Sequence, residues 1–123
     1  MDYVDLVAIL AVLQYLAFGT LVGRARGQYG VKAPAMTGHE MFERAYRVQM
    51  NTLELLVALL PGLYLCAKQV SAPLAAGLGV VYLVGRVLYW RAYMADPARR
   101  GLGFVLSFAS IATLLVAALV GAL

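Results

Sequence analysis

Charge and cysteine are both scarce in this 123-residue chain. Only 13% of its residues are charged, whereas 63% are hydrophobic. A soluble domain of this size could not bury so much apolar surface, because small domains have a high ratio of surface to volume. The composition therefore indicates a membrane protein. The single cysteine, Cys66, excludes an internal disulfide.

Several common functional motifs are absent as well. The sequence has no phosphate-binding loop and no recognisable arrangement around a serine or cysteine nucleophile. His39 is the only histidine and has no second ligand nearby, so we expect no metal site. The net charge of +4 does not come from a soluble basic face, so we expect no nucleic-acid partner. The acidic start, MDYVDL, favours a retained first helix over a signal peptide.

What remains is a series of apolar runs that predicts an all-α, integral membrane four-helix bundle. We expect a single domain over residues 1–123, with transmembrane helices at about 3–23, 41–67, 72–95 and 97–121. The apolar part of the second span, Leu53 to Ala67, would cover only about 22 Å. Its helix must therefore extend back through the polar segment before it, to about Met41. Asp96 and Pro97 predict the N-cap and first position of the fourth helix.

The basic residues predict the orientation of this bundle. Of the ten Lys and Arg residues, only Lys68 lies in the half of the bundle that holds the second connection. The positive-inside rule therefore places the first and third loops in the cytoplasm.

Two of the predicted helices carry a narrow polar face. Four polar side chains of the second helix fall within about 80° of one another: Arg44, Arg47, Asn51 and Glu54. Four side chains of the third helix fall within about 60°: Tyr82, Arg86, Tyr89 and Tyr93. Charged groups inside a bilayer are costly, so they usually face a bundle interior or a water-filled cavity and mark function.

Two structural interpretations of these faces stay open. Arg47, Asn51, Glu54 and Arg86 could neutralise one another between helices, and Arg44 and Arg47 could extend to the membrane interface. The three tyrosines span too great a depth for one aromatic belt, which suits Tyr93 alone.

The functional interpretation is a pocket for a small, net negative zwitterion. Arginines bind carboxylates in bidentate fashion, and a glutamate accepts an ammonium group. Glutathione fits this description, and an arginine beside its thiol would lower the thiol pKa and favour the thiolate. The bilayer would supply the second substrate as a lipophilic electrophile.

The same residues resemble a known family. Arg44 to Glu54, R-A-Y-R-V-Q-M-N-T-L-E, is similar to the helix-2 signature of the MAPEG family, the membrane-associated proteins in eicosanoid and glutathione metabolism. The pattern is most similar to the branch of microsomal glutathione transferase 2 and leukotriene-C synthase. Arg86 to Tyr93, R-V-L-Y-W-R-A-Y, resembles the helix-3 motif of that branch, and Arg100 matches an arginine at the start of its helix 4.

This resemblance implies a homotrimer that binds glutathione between neighbouring subunits. The glutathione-binding positions it implies are Arg26, Arg47, Gln49, Asn51, Glu54, Tyr89 and Tyr93. It implies that Arg100, from the adjacent subunit, stabilises the thiolate, whereas Arg86 and Arg44 are structural. The branch usually has a tyrosine where this chain has Leu55, so one glutathione contact is expected to be missing. The compact loops suggest a bacterial member, and hence the bacterial inner membrane.

The leading hypothesis is a membrane-bound glutathione transferase, with glutathione-dependent peroxidase activity toward lipid hydroperoxides as a second reaction. One alternative is a non-catalytic lipid-binding or scaffold protein of the same fold, but such a relative lacks the arginines matching Arg47 and Arg100. The other is a small four-helix multidrug exporter. That class depends on an acidic residue within its first helix, where this chain has only Asp5, near the end.

Overall fold

The computed structural model describes residues 2–123, which form four α-helices and one short 3-10 helix. The α-helices are α1 (Tyr3–Tyr29), α2 (Glu40–Gln69), α3 (Ala72–Ala95) and α4 (Gly101–Ala122). All four are long and apolar enough to cross a membrane. The predicted all-α, four-span class is therefore confirmed.

The first helix is longer than the sequence predicts. α1 continues past the expected end at residue 23, through a segment that contains Arg24 and Arg26, and ends before Gly30. Gly30 has a φ of 68°, a left-handed conformation that glycine adopts readily. Loss of hydrophobicity thus marks where a span leaves the bilayer, but the helix goes on until its backbone is terminated. At 27 residues, α1 measures about 40 Å.

The second helix contains the polar segment that precedes its apolar run. α2 begins at Glu40, and the His39 side chain caps it by accepting a hydrogen bond from the Met41 amide at 3.1 Å. Its 30 residues span about 45 Å, more than a hydrocarbon core needs. The charged residues from Arg44 to Glu54 are therefore helical, as predicted.

The fourth helix starts later than predicted. Asp96 and Pro97 begin the 3-10 helix Pro97–Arg99, and Asp96 Oδ1 accepts from the Ala98 amide at 3.1 Å. α4 itself starts at Gly101, with Arg100 as its N-cap residue and no side-chain cap. Asp96 does act as an N-cap, but of the short 3-10 helix and not of α4. Arg99 and Arg100 consequently lie ahead of α4 and not in its first turn.

The helices pack around α2 and α3, each of which contacts the three others. In the half of the bundle that holds the start of α1, their core is apolar. Leu59, Leu63 and Leu114 are completely buried there, and α3 approaches α1 closely at Gly79, where a Cβ would lie 2.4 Å from Val7. Many large apolar side chains on the outer surface remain exposed. Together with the four spans, this identifies a multi-pass integral membrane protein.

Candidate functional site

Arg86 is the centre of the polar half of the bundle. Its side chain is 0% exposed and joins three helices. Nε donates to Ser107 Oγ of α4 at 2.9 Å, and Nη1 donates to Asn51 Oδ1 at 2.6 Å and to Thr52 Oγ1 at 3.3 Å on α2. No carboxylate of residues 2–123 pairs with Arg86. The buried cation is therefore solvated by neutral oxygens.

The two hydroxyls that accept from Arg86 are held in place by their own helices. Thr52 Oγ1 donates to the Val48 carbonyl at 2.8 Å, and Ser107 Oγ donates to the Gly103 carbonyl at 2.7 Å. Each hydroxyl has thus used its proton within its helix and offers a lone pair to the guanidinium. The sequence interpretation did not include either residue.

Glycines explain how Ser107 reaches Arg86. A Cβ at Gly103 would lie 2.3 Å from the backbone nitrogen of Tyr89, and one at Gly85 would lie 2.8 Å from Ser107 Oγ. The backbones of α3 and α4 therefore touch at this point. Small residues that allow such close approach are typical of membrane helix pairs. Gly85 together with Gly103-x-x-x-Ser107 was the available sequence signal.

Tyrosines line the α3 side of this cluster. The Tyr89 ring lies under the Arg86 guanidinium, 4.3 Å from ring centroid to Cζ, and contacts Tyr93 with the ring centroids 5.5 Å apart. A guanidinium over a phenol face is a favourable cation–π arrangement. Tyr82, one helical turn before Arg86 on α3, is completely buried, and its hydroxyl has no hydrogen-bond partner within residues 2–123.

The exposed ionic groups lie on the α2 side. Arg47 Nη1 is 3.6 Å from Glu54 Oε1, and these side chains are 49% and 62% exposed. The pair spans two turns of α2 and leaves donors of Arg47 and oxygens of Glu54 without a partner. These two residues, together with Asn51 and Arg86, therefore form two separate pairs and not one cluster of mutually neutralising groups. Arg86 binds Asn51, and Arg47 faces Glu54.

Arg44 makes contacts of a different kind. Its Nη1 donates to the carbonyls of Met94 at 2.8 Å and Ala95 at 3.2 Å, and its Nη2 pairs with Glu40. Carbonyls at the end of a helix have no partner within the helix, so a cation there satisfies them. Arg44 therefore ties the end of α3 to α2, just before the turn that carries Arg100.

Arg100 has few partners within residues 2–123. Its side chain is exposed, and Nη1 donates to the Pro97 carbonyl at 3.0 Å. The turn after α3 thus presents an exposed guanidinium ahead of α4.

Arg26 and Gln49 lie elsewhere. Arg26 Nη1 donates to the Ala35 carbonyl at 2.6 Å, and its guanidinium stacks on Phe42 at 4.7 Å. Gln49 Nε2 covers Gly19 of α1, where an added Cβ would come within 2.7 Å. One chain thus gathers Arg47, Asn51, Glu54 and the two tyrosines on the α2–α3 side, whereas Arg26 and Gln49 belong to the α1–α2 side.

A separate concavity of about 280 Å³ opens at the ends of α1, α2 and α3. Its lining includes Arg24, Met41, Trp90 and Met94, and none of the residues predicted to bind glutathione. Residues 2–123 bring together no group of three His, Cys, Asp or Glu side chains suited to a metal ion.

Comparison with known proteins identifies the family of this chain. The model of the MAPEG family matches residues 4–120. An uncharacterized protein of Synechocystis sp. is 48% identical over 118 residues, which cover 96% of this chain and 86% of the relative. Microsomal glutathione S-transferase 2 of Homo sapiens is 38% identical over 108 residues, covering 88% of this chain and 74% of the relative. Leukotriene C4 synthase of Cavia porcellus is 35% identical over 94 residues, covering 76% of this chain and 63% of the relative. The chain belongs to the MAPEG family.

Proposed function

We propose that this protein is a membrane-bound glutathione transferase that conjugates glutathione to lipophilic electrophiles. The observation that carries the proposal is the incomplete pairing, within residues 2–123, of Arg47 and Glu54 on the α2–α3 face and of the exposed Arg100 at the turn after α3. Charged side chains on a membrane bundle are costly, and these three have few partners within the chain. The names of the relatives, glutathione S-transferase 2 and leukotriene C4 synthase, supply the chemical class.

The charges of this face match glutathione. Arg47 has free guanidinium donors for a carboxylate, and Glu54 has oxygens free for the ammonium group. Tyr93, which is partly buried and contacts the buried Tyr89 ring, adds aromatic surface on the α3 side. Since the ligand carries two carboxylates and one ammonium, it complements a face with more positive than negative charge.

Arg100, which the resemblance places in the adjacent subunit, is assigned to the thiol. A nearby guanidinium stabilises a thiolate relative to the thiol, and the thiolate is the nucleophile. In the transferase reaction the thiolate sulfur forms a bond to an electrophilic carbon, the bond from that carbon to its leaving group breaks, and the thiol proton goes to water. With a lipid hydroperoxide, two glutathione molecules would reduce the peroxide to alcohol and water and form glutathione disulfide. Proximity of the two substrates at the bilayer surface contributes to both reactions.

The complete site is proposed to form in a homotrimer. Arg26 and Gln49 lie on the α1–α2 side of one chain, apart from the α2–α3 face. A neighbouring copy that brings its α1–α2 side to this face would supply both residues and cover charges that otherwise contact lipid. We place the trimer in the bacterial inner membrane, with the loop at 30–39 and the turn at 96–100 on the cytoplasmic side.

A conjugation assay tests this function. Purified protein in detergent or lipid is given glutathione and a chloronitroarene, and product is followed by absorbance while calorimetry measures glutathione binding. We expect saturable, protein-dependent turnover. Binding without turnover toward electrophiles or hydroperoxides would indicate a non-catalytic binding protein, and absence of both would refute the proposal.

A further inference from the structure

The hydrogen bond between Arg86 and Asn51 determines which end of the Asn51 amide faces outward. A guanidinium has only donors, so the atom of Asn51 that meets Arg86 Nη1 at 2.6 Å must be the carbonyl oxygen Oδ1. The amide nitrogen Nδ2 then points away from Arg86. Within residues 2–123 the Asn51 side chain hydrogen-bonds through Oδ1, to Arg86, and it is only partly buried.

The Asn51 orientation is rigid because Arg86 is itself held at several points. Ser107 accepts from Nε and Thr52 from Nη1, the Tyr89 ring lies 4.3 Å from Cζ, and Nη2 has no hydrogen-bond partner within residues 2–123. The two hydroxyls are locked by hydrogen bonds to their own helices. A flipped Asn51 amide would place two donors against each other and leave a buried cation short of one acceptor, which is costly.

The electrostatic surroundings indicate what Asn51 Nδ2 meets. Arg86 has no carboxylate partner within residues 2–123, so its positive charge is not neutralised locally. Arg47 lies on the same face of α2 and is half exposed. A fixed donor in a positive field favours an anionic oxygen over a neutral one.

We propose that Arg86 is a positioning residue that holds the Asn51 carboxamide as a fixed donor to one carboxylate of the bound tripeptide. This inference rests on the proposed function. It gives the buried arginine a role in ligand selectivity that acts only through Asn51.

The first test is Asn51→Asp. This change keeps an oxygen acceptor for Arg86 and replaces the outward donor by an acceptor that repels a carboxylate. We expect an unchanged or higher thermal midpoint and a glutathione Kd raised at least about five-fold. A smaller rise would overturn the proposal.

Two glutathione analogues sharpen this test, one amidated at the glycine carboxylate and one amidated at the glutamyl α-carboxylate. Amidation replaces one carboxylate oxygen of the ligand by an NH2 donor and removes its negative charge, so one analogue should lose less affinity to N51D than glutathione does. That analogue identifies the carboxylate. Equal relative losses for all three ligands would also overturn the proposal.

The second test asks whether Arg86 acts through Asn51. Lysine keeps the charge but has one nitrogen, so Arg86→Lys cannot hold Ser107 and Asn51 together as the fork does. We expect a weaker glutathione affinity in the wild-type background and less than about a two-fold further change in an Asn51→Ala background. Equal weakening in both backgrounds would show that Arg86 acts by charge or by folding alone.

The controls separate this inference from the proposed function. Ser110→Ala removes a buried hydroxyl that donates only to the Ser107 carbonyl at 2.8 Å, and it should leave the glutathione Kd unchanged. If the wild-type protein itself binds no glutathione, the proposed function fails. If the wild-type protein binds glutathione but the Asn51 and Arg86 variants give the results named above as overturning the proposal, only the role of Arg86 and Asn51 fails.

Discussion

The two halves of the bundle are built from the same four helices and are held together differently. In the apolar half, Leu59, Leu63 and Leu114 pack in the buried core, and a polar contact between helices lies at the surface, where the Tyr64 hydroxyl of α2 donates to Asp5 Oδ1 of α1 at 2.7 Å. In the polar half, one arginine joins α2, α3 and α4 through hydrogen bonds, and the close contact at Gly103 brings its partners into reach. Apolar packing dominates the core of the first half, whereas the second contains a buried cation that packing alone cannot satisfy.

This difference separates structural from available charge. Arg86 and Arg44 direct hydrogen bonds to oxygens of neighbouring helices, although Arg86 Nη2 and Arg44 Nε are buried without a partner within residues 2–123. Arg47, Glu54 and Arg100 are exposed and have few partners within residues 2–123. If the polar half had evolved only to join helices, its exposed ions would be expected to find partners as Arg86 does. Substitutions that change ligand binding or turnover but not the stability of the fold, and substitutions that do the opposite, therefore test this distinction directly.

The largest effect is expected from Arg100→Ala. If its guanidinium stabilises the thiolate, turnover should fall by about 100-fold or more. The thermal midpoint should stay within a degree or two, since the exposed side chain bonds only the Pro97 carbonyl. Steady-state conjugation kinetics and thermal unfolding in detergent measure the two effects.

Arg99 provides the matched control for Arg100. It is adjacent and exposed, and it pairs weakly with Asp96 at 3.9 Å. Arg99→Ala should leave turnover nearly unchanged. Equal losses in both variants would mean that net charge at this turn, and not a placed guanidinium, supports the reaction.

Gly103→Ala should cause the largest loss of stability. Its Cβ would fall 2.3 Å from the backbone nitrogen of Tyr89, so α4 must move away from α3 and Ser107 from Arg86. Overpacking of this kind costs about 1–3 kcal/mol, and a weakened buried hydrogen bond adds to it. Unfolding followed by helical circular dichroism measures the change.

Gly77→Ala is the control for steric effects. Nothing lies within 4 Å of a Cβ at Gly77, which is also inside a helix. The substitution should be neutral or stabilising by up to about 1 kcal/mol, because alanine favours helix over glycine. A similar destabilisation at both positions would contradict the close α3–α4 contact.

Glu54→Gln is expected to act on binding alone. Loss of the negative charge removes the proposed partner of the ligand ammonium, so the glutathione Kd should rise about five- to ten-fold. Because the Glu54 side chain is 62% exposed and its pair with Arg47 is long, stability should change little. Calorimetric titration tests this, with Glu40→Gln as the control, since Glu40 pairs with Arg44 at the start of α2. An unchanged Kd would remove Glu54 from the site.

The sequence predicts the spans and the polar faces well because both depend on local periodicity. Hydropathy identifies four helices, and a 100° rotation per residue places Asn51 on one face and Arg86 on another. It does not identify the partners across the faces. Thr52 and Ser107 accept from Arg86 because the crossing of α3 and α4 at Gly85 and Gly103 fixes their depth, and that crossing is a property of packed helices.

The positions of Arg100 and Gln49 were harder to predict. The sequence puts Arg100 within the first turn of α4, but a 3-10 turn precedes the helix and leaves this arginine ahead of it. Gln49 shares α2 with the polar face yet packs on Gly19 of α1. Its assignment to the same ligand as Asn51 therefore depends on a second subunit, which no pattern within one chain contains.

The smallest predicted effect concerns Leu55, which stands where the resembling branch usually has a tyrosine. Leu55 follows Glu54 and is partly buried against the apolar core, at the boundary between the two halves. Leu55→Tyr would add one hydroxyl near the proposed ligand, and one hydrogen bond would lower the glutathione Kd about three-fold. Leu53→Tyr is the control, because Leu53 is exposed at a different angle on α2 and should not change the Kd. A weaker glutathione affinity in L55Y, with an unchanged thermal midpoint, would contradict this prediction. It would mean that the ligand itself occupies the space next to Leu55, and that this part of the site is apolar.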